Sequence, residues 1–204
     1  MADLDPILWD LPTAIYTDRL LLRPPQVGDG ELVNRAIKAS FDELHKWLHW
    51  ASKMPSIEES EVEVRKAMAQ WILRKYFRFY AFADEETFVG VVTIYEANWD
   101  VPAFEMGYWG HTNHSGHGYM TEAVGAATRY AFEFLKAKRV EICCDPDNER
   151  SPKIPERLAY TFEGNLKFSE PKEDGSGVRD TLVFARYDLE SLPEFGFGLT
   201  PRLA

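Results

Sequence analysis

The stretch at residues 113–119 holds the residue types best suited to chemistry in this chain. It reads Asn-His-Ser-Gly-His-Gly-Tyr, and an apolar pattern of helical period follows it directly. Two glycines one residue apart, Gly116 and Gly118, let the main chain turn tightly and present successive N–H groups to one concavity. The helix that follows adds its own free N–H groups and the positive end of its dipole. The spacing therefore predicts a binding site for phosphate oxygens.

The residues after these glycines indicate what the loop does with phosphate. A nucleotide-hydrolysing P-loop places Lys and then Ser or Thr after its last glycine, to reach the terminal phosphates and the magnesium ion. This chain has Tyr119 and Met120 there. We interpret the loop as one that holds a pyrophosphate without cleaving it. Because no G-x-G-x-x-G is present, the dinucleotide-binding reading is weak.

Other reactive residues give no comparable pattern. His45 and His49 lie four residues apart on a predicted helix, but no third ligand is near them, so we expect a surface pair and no metal site. Cys143 and Cys144 are adjacent, and on a strand they would point to opposite faces, which argues against a disulfide between them. Two unpaired cysteines fit a reducing cytoplasm.

Composition narrows the class of protein. The chain has 204 residues, of which 45% are hydrophobic, enough for one domain with a proper core. We see no apolar run of the roughly 18 residues that a membrane span needs, and no basic region that would open a signal peptide. The formal net charge of −10 argues against nonspecific nucleic-acid binding. It is compatible with a cationic or amine partner, but net charge bears more directly on solubility than on the chemistry of a site.

The elements that must position the loop follow from periodicity. Strands are predicted at 19–23, 77–83, 87–97, 103–109, 139–144, 161–168 and 181–189. Helices are predicted at 30–40, about 41–50, 56–75, 119–135 and within 151–160. This order predicts an α+β single domain with a mixed, mostly antiparallel central sheet flanked by helices. We expect residues 1–16 to be a loosely packed extension, 17–189 the domain, and 190–204 a tail that is mobile from Pro193.

Seven segments, taken in order, resemble the GNAT superfamily of N-acetyltransferases, in the ribosomal-protein N-terminal acetyltransferase (RimJ/RimL-like) branch. They are Thr-Asp-Arg-Leu-Leu-Leu-Arg at 17–23, Trp-Leu-His-Trp at 47–50, Phe-Glu-Met-Gly-Tyr-Trp at 104–109, the glycine loop, Thr-Glu-Ala at 121–123, Asp-Asn-Glu-Arg-Ser at 147–151 and Phe-Glu-Gly at 162–164. The resemblance implies acetyl-CoA as donor and an amine acceptor, either a protein N-terminus or a small molecule, which attacks the thioester directly. No nucleic acid, membrane or metal is expected, and the choice between monomer and homodimer stays open.

The resemblance also implies which residues bind the cofactor. Tyr108, Trp109 and Gly110 would flank the pantetheine, in a gap where their strand splays from the next one. Asn148 would bind the pantetheine arm through its amide. The pyrophosphate would lie on the glycine loop, at Asn113, His114, Ser115, Gly116, His117, Gly118 and Tyr119.

Catalytic and acceptor residues follow in the same way, each with a plain structural alternative. Glu105 matches the carboxylate base of many relatives, or is a fold-supporting or substrate-binding carboxylate. Ser151 matches a serine near the thiol sulfur, or is a helix cap before Pro152. Trp47 and Trp50 match an aromatic pair beside the acceptor, or pack in the core.

Three positions depart from the family pattern, and the first is Asn113, where relatives usually have Gln or Arg. Pro155 replaces a tyrosine that serves many relatives as general acid, so with Pro152 before it the local helix must begin late or bend. Ala159 replaces a glycine at the following turn, where a left-handed residue is favoured. Besides the enzyme, these departures leave a noncatalytic acyl-CoA-binding module as an alternative, and a different phosphate- or nucleotide-binding protein as a third.

Overall fold

A mixed sheet of eight strands forms the centre of the computed structural model, which describes residues 5–172 and 175–200. The strands are β1 (Ile15–Tyr16), β2 (Leu20–Arg23), β3 (Tyr76–Ala83), β4 (Thr87–Asn98), β5 (Ala103–Gly110), β6 (Arg139–Cys144), β7 (Thr161–Pro171) and β8 (Val178–Arg186). Their order across the sheet is β1-β2-β3-β4-β5-β6-β8-β7. Among these strands β5 and β6 alone run parallel, and the other neighbours are antiparallel. The predicted α+β architecture is confirmed.

Helices cover both faces of the sheet. They are α1 (Gly30–Leu44), α2 (Ile57–Ile72), α3 (Tyr119–Glu133) and α4 (Lys153–Arg157), with 3₁₀ turns at Pro6–Leu8, His49–Ala51 and Thr112–His114. Alanines and Val124 let α3 pack closely on one face, against Phe104 and Met106 of β5. Helix α1 packs on the opposite face, where Trp109 of β5 joins its apolar cluster. Residues of β5 therefore alternate between two cores, as the period of a strand requires.

The observed starts and ends of the helices show which predicted boundaries are correct. Helix α2 begins at its predicted start with a capping box: the N–H of Glu59 donates to Ser56 Oγ at 3.1 Å, and the N–H of Ser56 donates to Glu59 Oε2 at 2.8 Å. The predicted break in α1 near Ser40 is wrong. The helix continues to Leu44 because Phe41 and Leu44 extend its apolar face into the core, and of the second piece only the 3₁₀ turn exists.

Both terminal segments pack on the domain. Ile15 is fully buried, and the Tyr130 hydroxyl donates to the carbonyl of Pro12 at 2.9 Å, so the first segment packs more tightly than predicted. The tail predicted to be mobile instead follows the domain to residue 200. Gly198 pairs with Tyr16, and the Phe195 carbonyl accepts from the N–H of Asp18 at 2.8 Å.

The short helix α4 accommodates both prolines by beginning late, as predicted. Pro152 is its N-cap, and Pro155 lies at the third helical position. The first N–H groups of a helix have no helical acceptor, so proline there loses no internal hydrogen bond. Ala159 ends this segment with a φ of +55°, in the left-handed region where the family pattern has glycine.

Candidate active site

Strands β5 and β6 diverge and leave a wedge-shaped gap in the sheet. They pair over only three positions, the last of which joins Glu105 to Glu141. Beyond it β5 runs on to Gly110, while β6 continues to Cys144 beside β8. The gap begins at Glu105, and the main chain of the following β5 residues faces it without a strand partner. The expected splay before the glycine loop is therefore present.

The glycine loop lies at the open end of this gap. Gly116 and Gly118 have φ of +84° and +77°, the left-handed conformation that glycine adopts without strain. No described residue accepts a hydrogen bond from the N–H groups of residues 116–121, whereas the N–H of Glu122 donates to Gly118 O at 3.1 Å. Six consecutive free donors at the N-terminus of α3 can bind an anion.

In the first part of the loop, at residues 113–115, the N–H groups already donate hydrogen bonds within the protein. The N–H of Asn113 donates to His111 Nδ1 at 3.2 Å. The N–H groups of His114 and Ser115 donate to the carbonyls of His111 and Thr112, at 3.0 and 3.1 Å. Phosphate binding by residues 113–115 stays a prediction, and the free donors begin at Gly116.

The loop histidines pack against neighbouring rings. The ring of His117 stacks on Tyr119 at 14° between planes, with its Nδ1 3.1 Å from the Ser115 carbonyl. The ring of His114 meets His111 edge-on, with centroids 4.9 Å apart. Their contact with phosphate stays a prediction.

Packing fixes the loop at both ends. The buried Ser40 of α1 accepts from the N–H of Thr112 at 2.9 Å. At the other end, Met120 lies so close to Gly110 that a Cβ added there would be 2.8 Å from Met120 Cγ. Glycine at 110 thus lets the first turn of α3 approach the end of β5.

Glu105 lies at the vertex of the gap, on the sheet face opposite α3. Partial burial of its carboxyl group, and the charges of Glu141 and Glu170, raise its pKa. Cys143 shares this face, where partial burial and the carboxylates of Glu105 and Glu141 raise its pKa to about 12. A thiol that stays protonated is a poor nucleophile, so this cysteine is not suited to carry an acyl group.

Tyr108 bridges the gap on the α3 face. Its hydroxyl donates to the Ser151 carbonyl at 2.8 Å and lies 3.3 Å from Ser151 Oγ, which in turn donates to Cys144 Sγ at 3.3 Å. Burial raises the pKa of Tyr108 well above its usual value. The structure therefore brings together two residues that the sequence placed at the site separately.

The remaining predicted residues lie in different places around the gap. Asn148 lies in the turn after β6, where its Oδ1 accepts from the N–H of Ser151 at 3.4 Å. The ring of Trp50 lies 6.0 Å from that of Trp109, on the face of Glu105. In the described part of the chain, no hydrogen bond or ring–ring contact joins Trp47 to these residues.

Sequence reasoning missed the residues that hold the loop from outside. The carbonyl of His117 accepts from Nη1 of Arg19 at 2.9 Å, and Arg19 in turn binds the buried carboxylate of Glu122. Both residues stand in segments that carried the family resemblance, but no local pattern gives either a role.

Two further predictions concern what the site lacks. Among the side chains described in residues 5–95, 99–172 and 175–200, no three of His, Cys, Asp or Glu are grouped as a metal ion would require. In the same ranges no helix combines the length and apolarity needed to cross a membrane.

Comparison with known proteins agrees with this geometry. Residues 19–161 match the acetyltransferase (GNAT) domain. The ribosomal-protein-serine acetyltransferase of Escherichia coli (strain K12) is 26% identical over 143 residues, covering 69% of this chain and 79% of that protein. The putative ribosomal N-acetyltransferase YdaF of Bacillus subtilis (strain 168) is 26% identical over 183 residues, covering 84% and 92%. Mycobacterium smegmatis RimJ in complex with CoA-disulfide superposes with a TM-score of 0.79 at 24% identity, covering 90% and 91%.

The chain therefore belongs to the GNAT acetyltransferase family. It is an N-acetyltransferase that transfers an acetyl group from acetyl-CoA to an amine, and the predicted enzyme class, donor and RimJ/RimL-like resemblance are confirmed. This assignment stands in place of the noncatalytic binding module and of the nucleotide-binding alternative.

Proposed function

We propose that the protein acetylates the α-amino group of a protein N-terminus, with a ribosomal protein as acceptor. The names of two relatives, which both refer to ribosomal acetylation, support this choice. The choice of acceptor rests on these names, and the observation that carries the acetyl transfer itself is the position of Glu105. This carboxylate lies at the vertex of the gap, on the strand whose other end leads to the six free N–H groups.

The cofactor fits the gap in one direction. Its diphosphate accepts from the N–H groups of residues 116–121, and the pantetheine follows the free edge of β5 at Tyr108–Gly110. At about 3.4 Å per residue, Glu105 lies roughly 17 Å along the strand from Gly110, a distance that an extended pantetheine arm can span. The thioester then lies near the vertex, with the Asn148 amide beside the arm.

The acceptor amine approaches from the face that carries Glu105, Trp50 and Trp109. A raised pKa makes Glu105 a stronger base for the proton of the ammonium group, directly or through one water molecule. The nitrogen lone pair then attacks the thioester carbonyl, a C–N bond forms and the C–S bond breaks. As the C–S bond breaks, the nitrogen loses its second proton to a water molecule. The leaving thiolate takes up a proton from solvent, relayed by the Ser151 hydroxyl beside Tyr108 on the opposite face.

A peptide panel tests the acceptor. Acetyl-CoA is supplied with a peptide that has a free N-terminal serine, with the same peptide blocked at its N-terminus but carrying an internal lysine, and with spermidine. CoA thiol release gives the rate, and mass spectrometry locates the acetyl group. We expect turnover with the free N-terminus and background with the other two. Turnover confined to spermidine or to the lysine would overturn the acceptor assignment and leave acetyl transfer intact.

A further inference from the structure

Arg19 connects the start of the domain to the glycine loop. It precedes β2, and its guanidinium divides its donors between two acceptors. Nε and Nη2 lie 2.6 and 2.5 Å from Glu122 Oε2, and Nη1 donates to the carbonyl of His117 at 2.9 Å. The guanidinium carbon also lies 5.0 Å from the centre of the Tyr119 ring. Arg19 thus touches both sides of the turn at Gly118.

Glu122 holds this guanidinium in one orientation. Its side chain is 2% exposed, and a buried carboxylate is costly unless its oxygens are hydrogen-bonded. Its other oxygen, Oε1, accepts from the Thr17 hydroxyl at 2.6 Å and from the N–H of Arg19 at 3.1 Å. Because both oxygens have partners, the carboxylate is fixed, and the guanidinium is fixed with it.

The peptide bond between His117 and Gly118 links the position of Arg19 to the direction of a free N–H group. The chain has no cis peptide bond among the described residues, and in a planar trans peptide the C=O and the next N–H point in opposite directions. A His117 carbonyl directed at Arg19 therefore directs the N–H of Gly118 to the other side of the loop. Glycine at 116 and 118 would let this peptide rotate at little cost, so the loop itself does not set that direction.

We propose that Arg19 is a positioning residue for the diphosphate of acetyl-CoA. It turns the N–H of Gly118 toward the phosphate oxygens, and Glu122 and Thr17 hold it in place. The inference rests on the proposed role of residues 116–121 as the diphosphate site. It predicts that Arg19 acts on the affinity for the nucleotide end of the cofactor and leaves the chemical step unchanged.

The test compares two acetyl donors. S-acetylpantetheine has the same thioester and arm as acetyl-CoA but lacks the diphosphate. For Arg19→Met we expect KM for acetyl-CoA to rise about tenfold, the effect of one lost charge-assisted hydrogen bond, with kcat unchanged. The kcat/KM for S-acetylpantetheine stays within about twofold of wild type.

Two further variants keep the test decisive. Arg19→Lys retains a charge for Glu122 but cannot donate to both acceptors as a guanidinium fork does, so it gives the same loss in a protein that keeps its ion pair. Arg23→Met is the matched control, because Arg23 forms a comparable ion pair with Asp29 at 2.7 Å away from the loop. It leaves the ratio between the two donors unchanged.

Equal losses toward both donors, or no loss toward either, would overturn the positioning role. If the wild-type protein used both donors with equal kcat/KM, residues 116–121 would not be a diphosphate site, and the inference about Arg19 would fail with that proposal. The two failures are therefore distinguishable.

Discussion

Glu105 is the residue on which the proposed chemistry depends. We expect Glu105→Gln to lower kcat by about 100-fold or more, since the amide cannot accept the proton of the amine. Stability at pH 7 does not fall, because the raised pKa means that the folded state disfavours the ionised carboxyl group. Steady-state kinetics with a thermal melt as control check this. A Glu105→Gln protein with wild-type kcat would show that the carboxylate is not the base.

The pH profile gives a second test at the same residue. Only the ionised carboxylate accepts a proton, so kcat/KM falls as the pH drops through the raised pKa of Glu105. Glu170 contributes to that elevation through its negative charge. We expect Glu170→Gln to move the acidic limb to lower pH and to leave the plateau unchanged. A limb that stays in place would argue that another group controls it.

Residue types at the site were predictable where a short pattern carries them. The two glycines of the loop and the carboxylate at 105 all stand in local motifs. The contact between Tyr108 and Ser151 joins residues 43 apart, and that between Arg19 and His117 joins residues 98 apart. No local spacing encodes such pairs, because the fold alone brings them together.

At the scale of elements, the turn after α4 carries a measurable strain. Ala159 has a φ of +55°, and a left-handed conformation costs an alanine about 1 kcal/mol relative to glycine. We expect Ala159→Gly to raise the free energy of unfolding by about 1 kcal/mol in denaturant titrations. The matched control is Ala69→Gly, at an exposed position within α2, which lowers it by about 1 kcal/mol. Destabilisation by both changes would contradict the strain.

Element types followed from periodicity more readily than their lengths. Strands predicted at 77–83, 87–97 and 103–109 correspond to β3, β4 and β5, and the helix predicted from residue 56 corresponds to α2. The predicted end of α1 was wrong because the apolar face of the helix continues past Ser40. The β7–β8 hairpin is also longer than predicted, since its strands reach Pro171 and Val178. Pairing between strands extends them where residue preferences alone would end them.

At the scale of the whole molecule, the C-terminal segment closes over α3. A Cβ added at Gly125 would lie 2.5 Å from a ring carbon of Phe195, and the ring of Phe197 stacks near Phe134 with centroids 6.4 Å apart. A variant that ends at Leu189 uncovers this apolar surface. We expect its free energy of unfolding to fall by about 2–4 kcal/mol, the value of two partly buried phenylalanines.

The control for this truncation removes an aromatic ring that is already exposed. Phe168 is 74% exposed on β7, so Phe168→Ala changes the free energy of unfolding by less than about 0.5 kcal/mol. Chemical denaturation measures both variants. A truncated protein as stable as the full chain would show that the tail adds nothing to the fold.

The sequence by itself determined what neighbouring residues can enforce: the left-handed glycines of the loop, the caps and faces of the helices, and the family to which their order belongs. Only the tertiary structure decided where β5 leaves β6, which charges surround Glu105, and which residues hold the loop from outside. The physical reason is the distance along the chain over which each effect acts. Backbone preference and periodicity act over a few residues, whereas burial and charge depend on groups that only the packed chain brings within contact.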